Sequence, residues 1–218
     1  MRCGLFGMRP CGYSRGFLTV RDDGYDNGMA QQSLNGLHVA ILVENGFEQI
    51  EMEKPRAALE EAGAQTALIS PQKQEVQAAR HDAKGDTFPV DVTIGDADPA
   101  LYDALLIPGG VRSPDALRTN ARAVLFVSAF ATARKPMAVI CHGPWMLVES
   151  GVVRGHRVTS WPSLKTDIIN AGGDWVDEPV VHDRLLVTSR KPDDIPKFNS
   201  AMIDLFAASS QPAVSGGA

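Results

Sequence analysis

Short runs of uninterrupted apolar residues, each soon followed by glycine, proline or cysteine, recur along this chain with room for helices between them. Val39 to Val43, Ala104 to Ile107 and Met137 to Ile140 show no polar alternation. Strands built from them must be covered on both faces, which is how a mostly parallel sheet with helices on either side reads in sequence. Such a sheet gathers its functional loops at the carboxyl ends of its strands, and these three runs deliver three loops there.

The intervening segments fit that plan. The run from His38 to Glu44 is a strand, Glu48 to Ala62 an amphipathic helix closed by Gly63, and Gln65 to Ser70 a second strand ended by Pro71, together a βαβ unit. Val76 to Ile94 reads as an antiparallel hairpin excursion, because Phe88 to Ile94 alternates apolar and polar residues. Helices are expected over Asn120 to Arg134, Pro144 to Ser150, Ser163 to Ala171 and Pro192 to Ala207, with short strands between Trp175 and Val187. Residues 1–35 are rich in Gly and Arg and lack periodicity, so they are expected to be a disordered extension. Arg2, Arg9, Arg15 and Arg21 precede the first acid, Asp22, leaving open a targeting segment or a true start at Met29. Residues 36–207 form the single domain and 208–218 a loose tail.

Composition narrows the function classes. With 218 residues, 44% of them hydrophobic, the chain can bury a full core, and its net charge of -5 supplies no basic excess for nucleic acid or anionic lipid. No apolar window reaches the ~20 residues of a membrane span. Cysteines stand only at positions 3, 11 and 141, too few for a disulfide framework and without metal-ligand spacing. A reducing cytoplasm and no metal are therefore expected.

The chemistry concentrates in the three loops: Asn45-Gly46-Phe47-Glu48, then Pro108-Gly109-Gly110 followed by Ser113-Pro114-Asp115, then Cys141-His142-Gly143-Pro144. Each alone has a bland reading. A lone buried cysteine is usually inert, Gly-Gly usually a turn, and a glutamate in a first helical turn usually serves the helix dipole. Their convergence at one sheet edge raises the functional reading. Cys141, on a sharp strand-to-helix turn, is placed as a nucleophile. A free thiol is only about 3% ionised at neutral pH, so full ionisation is worth roughly 30-fold. The helix start at His142 favours the thiolate, and Glu48 helps only if burial keeps it protonated and able to donate to sulfur. The N–H groups of Gly110 and His142 can face an oxyanion, and His142 can move protons. An imidazole needs an orienting acid, for which Asp115, from the same chain or a neighbouring one, is the sequence candidate. Trp145 and Trp161 are read as packing.

With those residues in view, positions 37 to about 207 resemble the PfpI family of intracellular cysteine peptidases and deglycases, in the superfamily that includes the Parkinson-disease deglycase. The resemblance rests on Gly46-Phe47-Glu48-Gln49-Ile50-Glu51, Asp103 to Gly110, Val139 to Pro144, Thr159-Ser160-Trp161-Pro162, Ile169 to Gly172 and Val187 to Arg190. It implies a single flavodoxin-like α/β sandwich, also described as class I glutamine amidotransferase-like. It implies Cys141 as nucleophile, Glu48 as the acid that polarises it, and His142 in a triad completed by an acid across an oligomer interface. That acid corresponds to Asp115, where the founding pattern has Glu. The resemblance further implies a homodimer or hexamer, no cofactor, and glycated proteins, amino acids or nucleotides, or peptides, as substrates.

Removal of glyoxal or methylglyoxal adducts requires only a small pocket, whereas peptide hydrolysis requires an extended cleft, and no strand-binding edge is legible. Small-adduct repair is the favoured expectation, with peptidase activity as its alternative. The non-enzymatic alternative is a redox sensor or stress-binding protein in which Cys141 is oxidised. An amidotransferase would place a His-x-Glu pair far downstream, and His182-Asp183 lacks that spacing.

Overall fold

A computed structural model describes Met1 and residues 33–210. Its elements, in chain order, are β1 (His38–Leu42), β2 (Phe47–Glu48), α1 (Gln49–Glu61), β3 (Gln65–Ser70), β4 (Glu75–Arg80), β5 (Ala83–Pro89) and β6 (Val92–Thr93). They continue with β7 (Ala104–Ile107), α2 (Arg112–Leu117), α3 (Ala121–Thr132), β8 (Met137–Ile140), α4 (Trp145–Glu149), β9 (Arg157–Val158) and α5 (Lys165–Asn170). The last are β10 (Asp174–Trp175), β11 (Val180–Asp183), β12 (Leu186–Ser189) and α6 (Ile195–Ser210).

The central sheet has seven strands in the order β11-β12-β8-β7-β1-β3-β6. All its pairings are parallel except β11 against β12. Along β1 the side chains alternate between two cores: Val39 and Ile41 join Met52 and Leu59 of α1 and Phe198, Met202 and Phe206 of α6. Ala40 and Leu42 join Phe126, Val127 and Phe130 of α3 and Leu147 of α4. Every residue of β7 and β8 is buried, as the absence of polar alternation predicts. Asn120 caps α3 by accepting the N–H groups of Arg122 and Ala123.

The structure departs from the sequence reading in several places. The alternating stretch Phe88 to Ile94 is two strands, because Pro89 ends β5 and the Asp91 carboxylate takes the N–H of Leu68 at 2.7 Å. Val92 and Thr93 then pair with β3 in the main sheet. The segment after Pro108-Gly109-Gly110, read as loop, winds into α2. Leu34, assigned to the amino-terminal extension, is fully buried and donates its N–H to Ala62, so the fold begins earlier than 36. At the other end α6 runs on through Ser210. The remaining expectations for the extension and the tail, including Cys3 and Cys11, lie outside the described residues. Among those described, no helix is long and apolar enough to cross a membrane.

One feature of the fold builds a wall for the site. β2 pairs in parallel with β4, and β4 turns back as β5, forming a separate three-stranded sheet. Gln49 at the start of α1 fastens that hairpin: its amide donates to Asp86 at 2.7 Å and its carbonyl accepts from the Asp86 N–H at 2.8 Å and Arg80 at 3.1 Å.

Candidate active site

Cys141 follows β8 with φ of +62°, in the left-handed region that a non-glycine residue seldom adopts. The surroundings hold it there. Its N–H donates to the Ser189 carbonyl at 3.0 Å and its own carbonyl accepts the Trp161 N–H at 2.8 Å, so two separate segments pin both backbone groups of the strained residue. The side chain is thereby turned out of the sheet edge into the floor of a cleft, where it is 6% exposed.

The carboxyl beside the sulfur is Glu51. This corrects the sequence expectation of Glu48, for a reason of helical phase. Glu48 belongs to β2, opposite Ala79, with an extended backbone (φ −70°, ψ 115°). Its carboxylate turns to the hairpin, accepting the His81 N–H at 2.9 Å and standing 3.4 Å from His81 Nδ1. Glu51 lies in the first turn of α1 and shares its buried stripe with Met52, Pro55 and Leu59. A signal for it was present: Glu51, Pro55 and Leu59 sit at i, i+4 and i+8, so a carboxyl on that stripe is committed to the interior.

Glu51 is fully buried, accepts the Gly109 N–H at 2.9 Å through Oε2, and contacts Cys141. Its other oxygen, Oε1, has no conventional hydrogen-bond partner among the described residues. Burial above all, with a smaller push from Glu48, raises its pKa from 4.5 to about 8, against the opposing pull of its bonds to Cys141 and Gly109. Burial likewise pushes the Cys141 thiol up, followed by the charge of Glu51. The N–H groups of Gly110 and His142 pull it down. The push from Glu51's charge exists only while that carboxyl is ionised, and a carboxyl of pKa about 8 is mostly protonated at neutral pH.

His142 places Nδ1 3.3 Å from the sulfur. Its Nε2 is 3.5 Å from the Ser163 hydroxyl, a contact absent from the sequence reading. Trp161 stacks on the imidazole at 5.8 Å and 25°, and Trp145 leans on it at 5.3 Å and 55°, so these tryptophans, read as general packing, pack on the histidine itself. Burial pushes His142 down to about 4. Gly109 and Gly110 have to be bare here. A Cβ on Gly109 would lie 2.5 Å from Cys141 Cβ and 2.6 Å from the Glu51 carboxylate. A Cβ on Gly110, where φ is +82°, would lie 2.5 Å from the Gly46 carbonyl.

Asp115 is not brought to His142 within this chain. It sits exposed on α2 and bridges Arg118 at 2.8 Å, while Arg118 stacks over Trp145 at 4.7 Å. Cys141, His142 and Gly110 therefore converge as expected, Glu51 takes the place proposed for Glu48, and Asp115 stays apart. The cleft they share measures about 970 Å³, with Gln77, His81 and Lys84 of the hairpin region on one side and Arg112, Trp161 and Lys191 also on its walls. Among the described residues, no three His, Cys, Asp or Glu side chains cluster as metal ligands.

Comparison with known proteins places this geometry in context. A family profile described as "DJ-1/PfpI family" matches residues 37–205. A Bacillus subtilis (strain 168) protein named "Putative cysteine protease YraA" is 40% identical over 167 residues, covering 77% of this chain and 96% of that one. "General stress protein 18" of the same organism is 41% identical over 171 residues, covering 78% of this chain and 98% of that one. Among solved structures, a two-domain Anabaena variabilis protein with DJ-1/ThiJ/PfpI-like and ferritin-like domains matches with a TM-score of 0.71 and 33% identity. The match covers 77% of this chain and 49% of that one. Drosophila melanogaster DJ-1beta superposes with a TM-score of 0.71 at 23% identity, over 78% of this chain and 90% of that one, a likeness of fold.

Proposed function

The chain belongs to the DJ-1/PfpI family, and on that premise we propose that it is a cysteine-dependent hydrolase that removes glyoxal or methylglyoxal adducts from small molecules and proteins. The observation that carries this reading is the strained Cys141 at the cleft floor, faced by a protonatable Glu51 and by the N–H groups of Gly110 and His142. In it, Glu51 keeps the proton of the pair and donates to sulfur. Its charge no longer opposes ionisation, and three donors then suit a thiolate. The sulfur attacks the electrophilic carbon of the adduct. The Gly110 and His142 N–H groups stabilise the resulting oxyanion. Neutral His142 takes a proton from the thiol or from the attacking water and returns it to the leaving group. Hydrolysis of the sulfur–carbon bond restores the free cysteine.

Small adducts suit this site better than peptides because Cys141 is only 6% exposed, beneath glycine loops. In the proposed assembly, a second copy supplies Asp115 to His142, forming a homodimer or hexamer. A reducing, cytoplasmic setting keeps the thiol available, and the name of one relative, General stress protein 18, fits a stress-response role. Wild type and Cys141→Ser assayed in parallel on methylglyoxal-modified N-acetylcysteine and on an unfolded protein substrate test the reading. Turnover of the adduct by wild type and its loss in the variant support it. Retained turnover in Cys141→Ser overturns it, and cleavage of the protein alone favours the peptidase.

A further inference from the structure

We propose that Arg112, with Lys84 at the same cleft, forms an anion-binding subsite beside Cys141, and that the substrate carries a carboxylate or phosphate near its reactive carbon. This rests on the hydrolase reading above and specifies which adduct carriers the site takes.

The argument begins with the charges lining the cleft: Glu48, Glu51, Asp82 and Asp193 on one side of the ledger, Lys84, Arg112, Lys191 and His81 on the other. Most are already committed. Glu51 is pushed toward its neutral form, Glu48 accepts from His81, and Asp193 bridges Lys191 at 3.2 Å. Asp82, Lys84 and Arg112 have no side-chain partner among the described residues, which leaves two cationic residue types and one acidic one.

Arg112 is placed by its backbone and its stem. Arg56, Arg80, Arg118, Arg157, Arg184 and Arg190 each bridge a carboxylate. The Arg112 side chain makes no ion pair or hydrogen bond to any described residue, and it lines the cleft. Its stem lies flat over Gly46, where φ is +85° and an added Cβ would come 2.7 Å from Arg112 Cβ and 3.1 Å from Cδ. The Gly46 carbonyl in turn abuts Gly110, whose N–H faces the sulfur. Glycine at 46 thus lets an arginine stem rest against the corner that carries the oxyanion donor. A planar guanidinium there offers a fork of N–H donors matched to a carboxylate or phosphate, at a mouth shared with Lys84.

The test compares methylglyoxal-modified N-acetylcysteine with the same adduct on neutral N-acetylcysteinamide. Wild type is expected to favour the carboxylate substrate by about tenfold in kcat/KM, mostly through KM, as one charge-assisted hydrogen-bonded contact allows. Arg112→Gln removes that preference by raising KM for the carboxylate substrate more than for the amide. Arg112→Lys restores part of it, and Arg154→Gln, remote from the cleft, does not alter it. Equal KM values for the two substrates in wild type, or equal losses on both in Arg112→Gln, overturn the proposal.

A second measurement requires no turnover. Cys141 is alkylated with anionic iodoacetate or neutral iodoacetamide and followed by peptide mass spectrometry. The iodoacetate-to-iodoacetamide rate ratio should fall about tenfold in Arg112→Gln, the loss of one charge-assisted contact. An unchanged ratio overturns the subsite. A shifted ratio with no turnover of either adduct keeps the subsite and overturns the hydrolase reading. Failure of both reagents to label Cys141 overturns both. Protection by millimolar acetate or by inorganic phosphate identifies which anion the site prefers, and protection by neither contradicts the subsite.

Discussion

The floor and the mouth of the cleft are built on opposite electrostatic plans. At the floor, Glu51, Cys141 and His142 are all buried, and burial pushes each toward its uncharged form. At the mouth, Lys84 and Arg112 are exposed, with the Lys191–Asp193 pair and the contact of Glu48 with His81 nearby. The contrast separates two tasks. A dry floor lets one proton, moved between carboxyl, thiol and imidazole, change reactivity strongly, because each charge there is costly and each donor strong. A wet mouth selects what enters, through charges that salt can screen.

Changes at the floor should break the molecule's chemistry most. Cys141→Ser is expected to lower turnover of methylglyoxal-modified N-acetylcysteine about 10⁴-fold or more, as loss of a covalent nucleophile does. Gly109→Ala should follow at about 10²-fold or more, because its methyl group would occupy space already held by Cys141 and Glu51. Displacements of roughly an ångström cost that much. Retained activity in Gly109→Ala would show that the floor is less tightly packed than the distances indicate. His142→Asn should lose about 10²-fold, the usual worth of a positioned acid–base group.

Glu51 also predicts a stability profile whose sign is opposite to that of most carboxylates. Its folded pKa of about 8 lies above its ordinary value of 4.5. The folded state therefore holds the proton more tightly, and the contribution is fully present below about pH 4.5 and lost as pH rises to 8. For His142, pushed down from 6.5 to about 4, stability is present above 6.5 and lost as pH falls through 4. Thermal melts of wild type and Glu51→Gln should differ little at pH 5. The advantage of Glu51→Gln should grow toward pH 8, and a constant difference would contradict the buried, protonated carboxyl. At the mouth the effects are smaller: Lys84→Gln should raise KM for the carboxylate adduct by about twofold to fivefold, with the loss fading at high salt.

The sheet was legible because β7 and β8 are short apolar runs without alternation, and the nucleophile because Cys141 ends such a run where a helix begins. His142 follows from that same turn, and Gly110 from the glycine loop that ends the neighbouring apolar run of β7. Glu51 is harder to read from sequence because it lies farther from the loop, and only helical phase directs it to the interior. Glu48 is the first acid after the turn, yet it belongs to a strand that directs its side chain to His81. The stacking of Trp161 on His142 and the contact with Ser163 arise from a segment some twenty residues downstream, which short-range periodicity does not bring together. Arg112 reads as loop because Val111-Arg112-Ser113-Pro114 carries no helical stripe, and its lack of a side-chain partner among the described residues is a property of three dimensions alone. Asp115 is the nearest acid that the sequence offers and the one that the resemblance implies, yet within one chain it serves Arg118.

The most direct test of the central claim compares Glu51→Ala with Glu48→Ala in the same turnover assay at pH 7. Glu51→Ala is expected to lose about 10²-fold or more in kcat/KM, as removal of a buried charge-assisted donor does, while Glu48→Ala loses less than about tenfold. The reverse order, with Glu48→Ala inactive and Glu51→Ala near wild type, would contradict the assignment of the proton beside Cys141 to Glu51.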